Sequence, residues 1–231
     1  MIILQERDLR ILRLAREHRF VTVDQVKPLF GSGRTRQCTR RVLELRQEGY
    51  LKPDPLTHLE GASIFRLTPL GLKTAASGST LSIRPQQYLD LPTLKHESII
   101  TSVRVILEEA WKTGRFVPEQ AIKNQDFRQI PDGVYFFENG RGVALEVENS
   151  LKSEKRFLKL HERWEEEPAI FFVLFIATSP DLYEAIKARI PKVQTDQPFG
   201  LVLWDDLKAG TDQIWSPERT WSLAELKARL G

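Results

Sequence analysis

Three carboxylates dominate the chemistry open to this sequence. Asp132 lies in the run Ile130-Pro131-Asp132-Gly133-Val134-Tyr135-Phe136-Phe137, and Glu146-Val147-Glu148 follows a turn at 138–142. Both stretches read as short strands of a hairpin. Side chains alternate along a strand, so Asp132, Val134 and Phe136 share one face, and Glu146 and Glu148 share a face of the next. Ordinary pairing gathers the three acids at one end of a small sheet. Crowded carboxylates raise one another's pKa unless a cation holds them, and oxygen ligands of this kind suit magnesium. Magnesium, with manganese as a substitute, would suit work on phosphodiesters. The plainer alternative is a turn Asp capping its own backbone and a solvent-facing Glu pair on an edge strand. Val134, Phe136 and Ala144 share faces with these acids, so the surface is partly apolar.

The elements that must position these acids follow from periodicity. A helix is expected over about 93–112, with His96, Ile99, Ile100, Val103, Leu107, Ala110 and Trp111 on one stripe and Gly114 as its stop. His96 on that stripe reads as semi-core rather than catalytic. Arg115 to Pro118 reads as an edge strand, where proline is tolerated. Residues 130–137 and 142–148 follow as strands, then a helix from Leu151 to about Trp164. The apolar run Ala169–Ala177 reads as a strand buried on both faces. A helix over 181–190, a strand over 199–204 and a helix over 222–230 complete the chain. Lys152, Lys155, Arg156, Lys159 and Arg163 form a basic helical face. That face is either solvated and paired with neighbouring glutamates or a phosphate track beside the acids.

This αβββαβ order, with Pro-Asp on one strand and Glu-x-Glu on the next, resembles the PD-(D/E)xK nuclease superfamily over about 93–178. The resemblance implies magnesium ligands at Asp132 and Glu146 and a helix acid at Glu97. The superfamily usually has Lys two residues after the Glu, where this chain has Glu148. Lys152 or Lys155 could supply the cation from the following helix. Glu148 could instead serve as a base or third ligand, or cleavage could be lost. The candidate catalytic set is therefore Asp132, Glu146, Glu148, Lys152 and Glu97.

The front of the chain carries a different signal. Residues 1–90 hold 15 Lys/Arg against 9 Asp/Glu, whereas 91–231 hold 19 against 22. A basic front joined to a mildly acidic rear suggests two modules, the first near a polyanion. Helices are expected over 5–18, 23–30 and 34–47, the last burying Cys38, Val42 and Leu45 and closed by Gly49. A strand at 50–52, a turn over 53–61 and a strand at 63–67 follow, and Thr68-Pro69 opens a further helix. This is the winged helix-turn-helix order, whose third helix enters the major groove. Arg34, Arg36, Gln37, Arg40, Arg41 and Arg66 are the expected DNA-binding residues, since Arg reads guanine, Gln reads adenine and further Arg residues hold phosphate. A solvated surface or a protein-docking face is the alternative.

Composition sets outer limits. The chain has 231 residues, 41% hydrophobic and 28% charged, ordinary for a globular protein. No apolar run is long enough to cross a bilayer. The N-terminal residues are too charged for an export signal, so a cytoplasmic protein with no membrane partner is expected. The one cysteine, Cys38, excludes an intrachain disulfide and reads as core. No His spacing suggests zinc, and no Gly-rich phosphate loop or nucleophile elbow is present. Trp204, Trp215 and Trp221 could cover a sheet edge or form a dimer face.

The expected class is α/β: a winged helix over 1–78, a linker over 79–92, and a restriction-endonuclease-like core over 93–231. The pairing resembles the plasmid replication-relaxation and mobilisation accessory proteins of bacteria. The similar stretches are 65–75, closing the wing, 94–105, the Pro-Asp strand, and 144–150 ahead of a basic helix. The resemblance implies double-stranded DNA and plasmid replication or transfer proteins as partners, and a homodimer is expected. Function then falls between a metal-dependent endonuclease-like protein of a mobile element and a non-enzymatic regulator whose rear domain mediates dimerisation or partner binding.

Overall fold

A computed structural model describes residues 2–31, 34–59, 61–77, 81, 83, 91–123, 127–190, 196–211 and 213–231. The chain is α/β, with helices and two sheets in two compact units, 1–109 and 110–231. Among the described residues no helix is long and apolar enough to cross a membrane.

The first unit opens with α1 (Glu6–Glu17), β1 (Val21–Thr22) and α2 (Val23–Val26), which continues as a 3-10 turn over Lys27–Phe30. Thr22 starts α2: its hydroxyl accepts the Gln25 N–H, and the Gln25 side chain accepts the Thr22 N–H. Helix α3 (Thr35–Gln47) buries Cys38, Val42 and Leu45, the i, i+4, i+7 stripe expected of it. Gly49 follows at φ +78, a conformation that costs a side-chain-bearing residue energy and that glycine adopts freely. Strand β2 (Leu51–Leu59) pairs antiparallel with β3 (Ala62–Leu67), and β3 pairs with β1. The expected turn over 53–61 is therefore mostly strand. β2 is an edge strand with a register shift between Pro53 and His58, which is where a sheet tolerates Pro53 and Pro55. Thr68 caps α4 (Pro69–Ala76), accepting the Gly71 N–H.

Ile11, Leu12, Val26, Phe30, Cys38 and Leu45 form the first core. Burial pushes the Cys38 thiol up to about 11, which makes it an inert core residue rather than a nucleophile. Helix α5 (Leu91–Trp111) also contributes here, through Val105 to this core and Leu94 to a smaller cluster with Phe20, Leu59 and Ile64. The boundary between the units falls at 109/110, not at 92/93, because α5 anchors on the first unit for most of its length. Arg10 reaches Glu108 and Glu109 at 3.2 and 3.0 Å, and Arg104 pairs with Glu17. Local periodicity shows that a helix forms there but not which core its stripe joins. Most of the expected linker lies outside the described residues; Leu91 and Pro92 belong to α5.

The second unit is a seven-stranded mixed sheet. Its elements are β4 (Arg115–Pro118), α6 (Glu119–Ile122), β5 (Gly133–Phe136), β6 (Gly142–Glu148), α7 (Glu154–Glu165), β7 (Ile170–Ala177), α8 (Pro180–Arg189), β8 (Phe199–Leu203), α9 (Trp204–Lys208), β9 (Ile214–Trp215), β10 (Thr220–Trp221) and α10 (Leu223–Leu230). The strand order is β10-β9-β8-β7-β6-β5-β4. β4, β5 and β6 run antiparallel, β6, β7 and β8 parallel, and β9 and β10 antiparallel at the far edge. Trp221 thus sits in the edge strand and Trp215 in the strand beside it, a hairpin too short to show in periodicity. β6 is buried throughout, and β7 except at Phe171, over which the Arg141 guanidinium lies at 5.1 Å. Trp111, Tyr135 and Phe137 pack with ring centroids 4.7 to 5.4 Å apart, and the Trp111 indole donates to the Leu223 carbonyl at 2.9 Å.

Candidate functional site

Asp132 enters the site on the last residue before β5. Its N–H donates to the Leu145 carbonyl at 3.0 Å, and its Oδ2 accepts the Val147 N–H at 2.7 Å. Gly133 follows because a Cβ there would lie 2.2 Å from the Phe116 ring. The β5–β6 register pairs Gly133 with Leu145, so one more step sets Asp132 opposite Glu146. Residues directly opposite in an antiparallel pair share a face. Glu148, two residues on, shares the face of Glu146.

Electrostatics agree with this geometry. Glu146 is buried, and its Oε1 has no hydrogen-bond partner. Burial first, then the Asp132 and Glu148 charges, raise its pKa well above the ordinary carboxylate value. Lys152 and the nearby Gln129 side chain pull the other way. Lys152 forms an ion pair with Glu148. Among the described residues no three His, Cys, Asp or Glu side chains form a ready-made metal cage. The donor set is a pair, Asp132 and Glu146, with Glu148 neutralised by Lys152. A divalent cation fits the pair's chemistry: it would satisfy the orphaned Glu146 oxygen and remove the mutual repulsion.

Glu97 is placed elsewhere. Its carboxylate, in the first unit, lies 3.5 Å from His18 Nδ1 and 3.7 Å from Arg19 Nη2. It is an internal partner of that unit's charge network rather than an open metal ligand. Sequence could not show this, because the cations it meets lie almost 80 residues earlier.

Two residues of the acid site were missed in the sequence. Gln129, whose side chain lies beside Glu146, accepts from Arg163 Nη1 at 3.4 Å. Glu167, buried at the end of α7, accepts the backbone N–H groups of Arg128 and Gln129 at 2.5 and 3.3 Å. It therefore fastens the segment leading into Asp132. Both lie outside regular elements, where spacing carries no signal.

The basic face of the first unit is smaller than expected. Arg34, Arg36 and Gln37 are exposed at the start of α3. Arg40 is 75% exposed, with Glu44 3.4 Å away, a weak surface pair. Arg41 and Arg66 depart from the expectation. Arg41 Nε and Nη2 clamp the two oxygens of fully buried Asp8 at 2.8 and 2.6 Å. Arg66 lies 2.7 Å from Asp54, linking the β2–β3 hairpin. Helical spacing cannot distinguish an outward Arg from one that folds back on a distant acid.

A family model described as replication-relaxation matches residues 12–166, more than half of the chain. The chain belongs to the replication-relaxation family. No curated protein and no solved structure matches it. In this replication-relaxation protein the match runs from α1 to the residue after α7. It contains the expected site residues from Arg34 to Lys152.

Proposed function

We propose that this replication-relaxation protein binds duplex DNA through α3, and that its second unit holds a divalent cation at Asp132 and Glu146 for phosphodiester chemistry. The supporting order in the first unit is three helices and an antiparallel hairpin, the winged-helix order. In the second it is an α/β sheet with Pro-Asp facing Glu-x-Glu, as in the PD-(D/E)xK nucleases. The observation that carries the metal reading is the buried, unpartnered Glu146 oxygen set opposite Asp132.

Bound there, magnesium would polarise a phosphate oxygen and lower the pKa of a bound water. The protein's own residues hold and orient. Val147 N–H fixes one Asp132 oxygen, and Lys152 neutralises Glu148. Lys152 reaches the acids from the turn before α7, the substitution open to a chain without Lys at position 148. A second reading, favoured by the Glu148–Lys152 pair, leaves the cation site without cleavage, and the protein acts as a DNA-bound regulator.

The test has two readouts. Manganese at about 100 times its Kd should stabilise the wild type by about 3 kcal/mol, and Asp132→Ala or Glu146→Gln should abolish the shift. Supercoiled plasmid should be nicked by wild type with magnesium or manganese and left intact by Asp132→Ala. A metal shift without nicking on supercoiled, single-stranded and branched DNA selects the regulator. No metal shift at all refutes the site.

DNA binding by α3 is tested separately. Arg36→Ala with Arg40→Ala should weaken duplex binding by about 1–3 kcal/mol per base-reading contact. Arg34→Ala should act more uniformly across sequences. An unchanged isotherm for the double variant assigns α3 to protein docking.

A further inference from the structure

Helix α7 lies directly after the acid site and carries its own pattern of charge. Phe157, Leu160, His161 and Trp164 are buried and fix its inward face. At about 100° per residue, Lys155, Arg156, Lys159 and Arg163 project from the opposite side. Glu154 and Glu165 fall together on one flank. Glu162 falls on the cationic side, beside Lys155, so that side carries four cations and one carboxylate.

Lys155, Arg156 and Lys159 are exposed, and no carboxylate engages their side chains among the described residues. In the first unit Arg10, Arg13, Arg41 and Arg104 each hold an acid, whereas Arg34 and Arg36, like the α7 row, are exposed. Two further cations meet at the start of α7. Lys152 bridges to Glu148, and Arg189 of α8 donates to the Lys152 carbonyl. Ser153 caps the helix, its hydroxyl accepting the Arg156 N–H. The row therefore begins at the carboxylates and runs away from them along one rigid element. From 155 to 159 it rises about 6 Å, a span that covers about two phosphates of one duplex strand at 3.4 Å each.

We propose that this cationic side of α7 is a second nucleic-acid contact, a track for duplex phosphates leading to Asp132 and Glu146. It rests on the function proposed above, and it adds a sequence-independent grip separate from α3. Phosphate contacts of this kind position a duplex without reading it. Exposed cations that no carboxylate engages among the described residues suit a uniform polyanion, and the row's origin at the acid site places the scissile strand where a bound cation would act.

The experiment uses the full chain with Arg36→Ala and Arg40→Ala already in place, so that α3 contributes little. Duplex DNA of random sequence is titrated by fluorescence anisotropy from 50 to 200 mM salt in EDTA. Adding Lys155→Gln, Arg156→Gln and Lys159→Gln should flatten the slope of log K against log salt by about 2 to 3. Affinity at mid-range salt should fall on the order of tenfold or more. Thermal melting should not change, because the three side chains are solvent-exposed. Glu162→Gln with Glu165→Gln should leave affinity equal or higher.

Three results would overturn the track. One is a slope unchanged by the three substitutions. Another is a starting background with no residual duplex binding. The last is loss of retention on poly-glutamate with an intact DNA isotherm, which reassigns the surface to an acidic protein. The EDTA assay does not depend on the metal site. The manganese shift of the same variant reports on Asp132 and Glu146 alone, so either proposal can fail without the other.

Discussion

Replacing Arg41 with alanine should cost the protein about 3–5 kcal/mol of stability, far more than any other arginine on the same helix. Asp8 has no exposed surface. Burial works against its charge, but the Arg41 guanidinium, the Gln5 N–H and Arg7 together hold its pKa below the usual carboxylate value. Removing Arg41 leaves that charge buried with one backbone donor, and breaking a buried pair from one side carries a penalty of roughly that size. Arg40→Ala, one residue away, should change stability by less than about 1 kcal/mol, because its pair with Glu44 is solvent-exposed. Arg41→Lys should fall between, since ammonium cannot bridge both oxygens. Urea unfolding of the three variants checks this. Equal losses for Arg40→Ala and Arg41→Ala would mean that the clamp contributes nothing. The pH dependence has a defined sign. The folded pKa of Asp8 is depressed, so its stabilisation is present above the unfolded value near 4. It is lost as pH falls through the folded value.

His161 should make the protein acid-labile at a higher pH than Asp8 does. It is buried on α7 among Phe157, Phe175 and Phe199, with ring centroids 4.8 to 5.3 Å away. Neither ring nitrogen has a hydrogen-bond partner. Burial lowers its pKa to about 4, against an ordinary value of 6.5. The unfolded chain therefore binds a proton below about 6.5 that the folded chain refuses. Stability falls as pH drops from about 6.5 to about 4, by about 1.4 kcal/mol per pH unit and about 3 kcal/mol in all, and this contribution is flat outside that window. His161→Phe should remove the slope and retain the aromatic packing. Urea midpoints at pH 7, 5.5 and 4.5 provide the comparison. A variant that loses stability with acid as steeply as wild type would place the sensitivity elsewhere.

These two residues show where pattern reading works. Nothing in the spacing of the sequence marks His161, and Arg41 reads there as one cation on an exposed face. What each does depends on a partner, or the lack of one, supplied by another element. Asp8 lies 33 positions before Arg41, and Phe199 lies far along the chain from His161. No local period encodes either meeting. By contrast, α3 is legible almost to the residue and α7 to within three residues at its start, because their buried stripes recur every three to four positions.

The sequence by itself determined the α/β class, most element positions, the strand buried on both faces near 169–177 and the facing of Asp132 and Glu146. That last point follows from strand alternation and a short hairpin, both local. Tertiary structure alone decided that α5 packs mainly with the first unit, that Glu97 meets His18 and Arg19, that Gln129 comes to lie beside Glu146, and that Arg41 clamps buried Asp8. The physical reason is common to all four. Propensity and periodicity act over a few residues, whereas a buried charge is fixed by whichever distant group can neutralise it, and its identity emerges only when the chain has closed on itself.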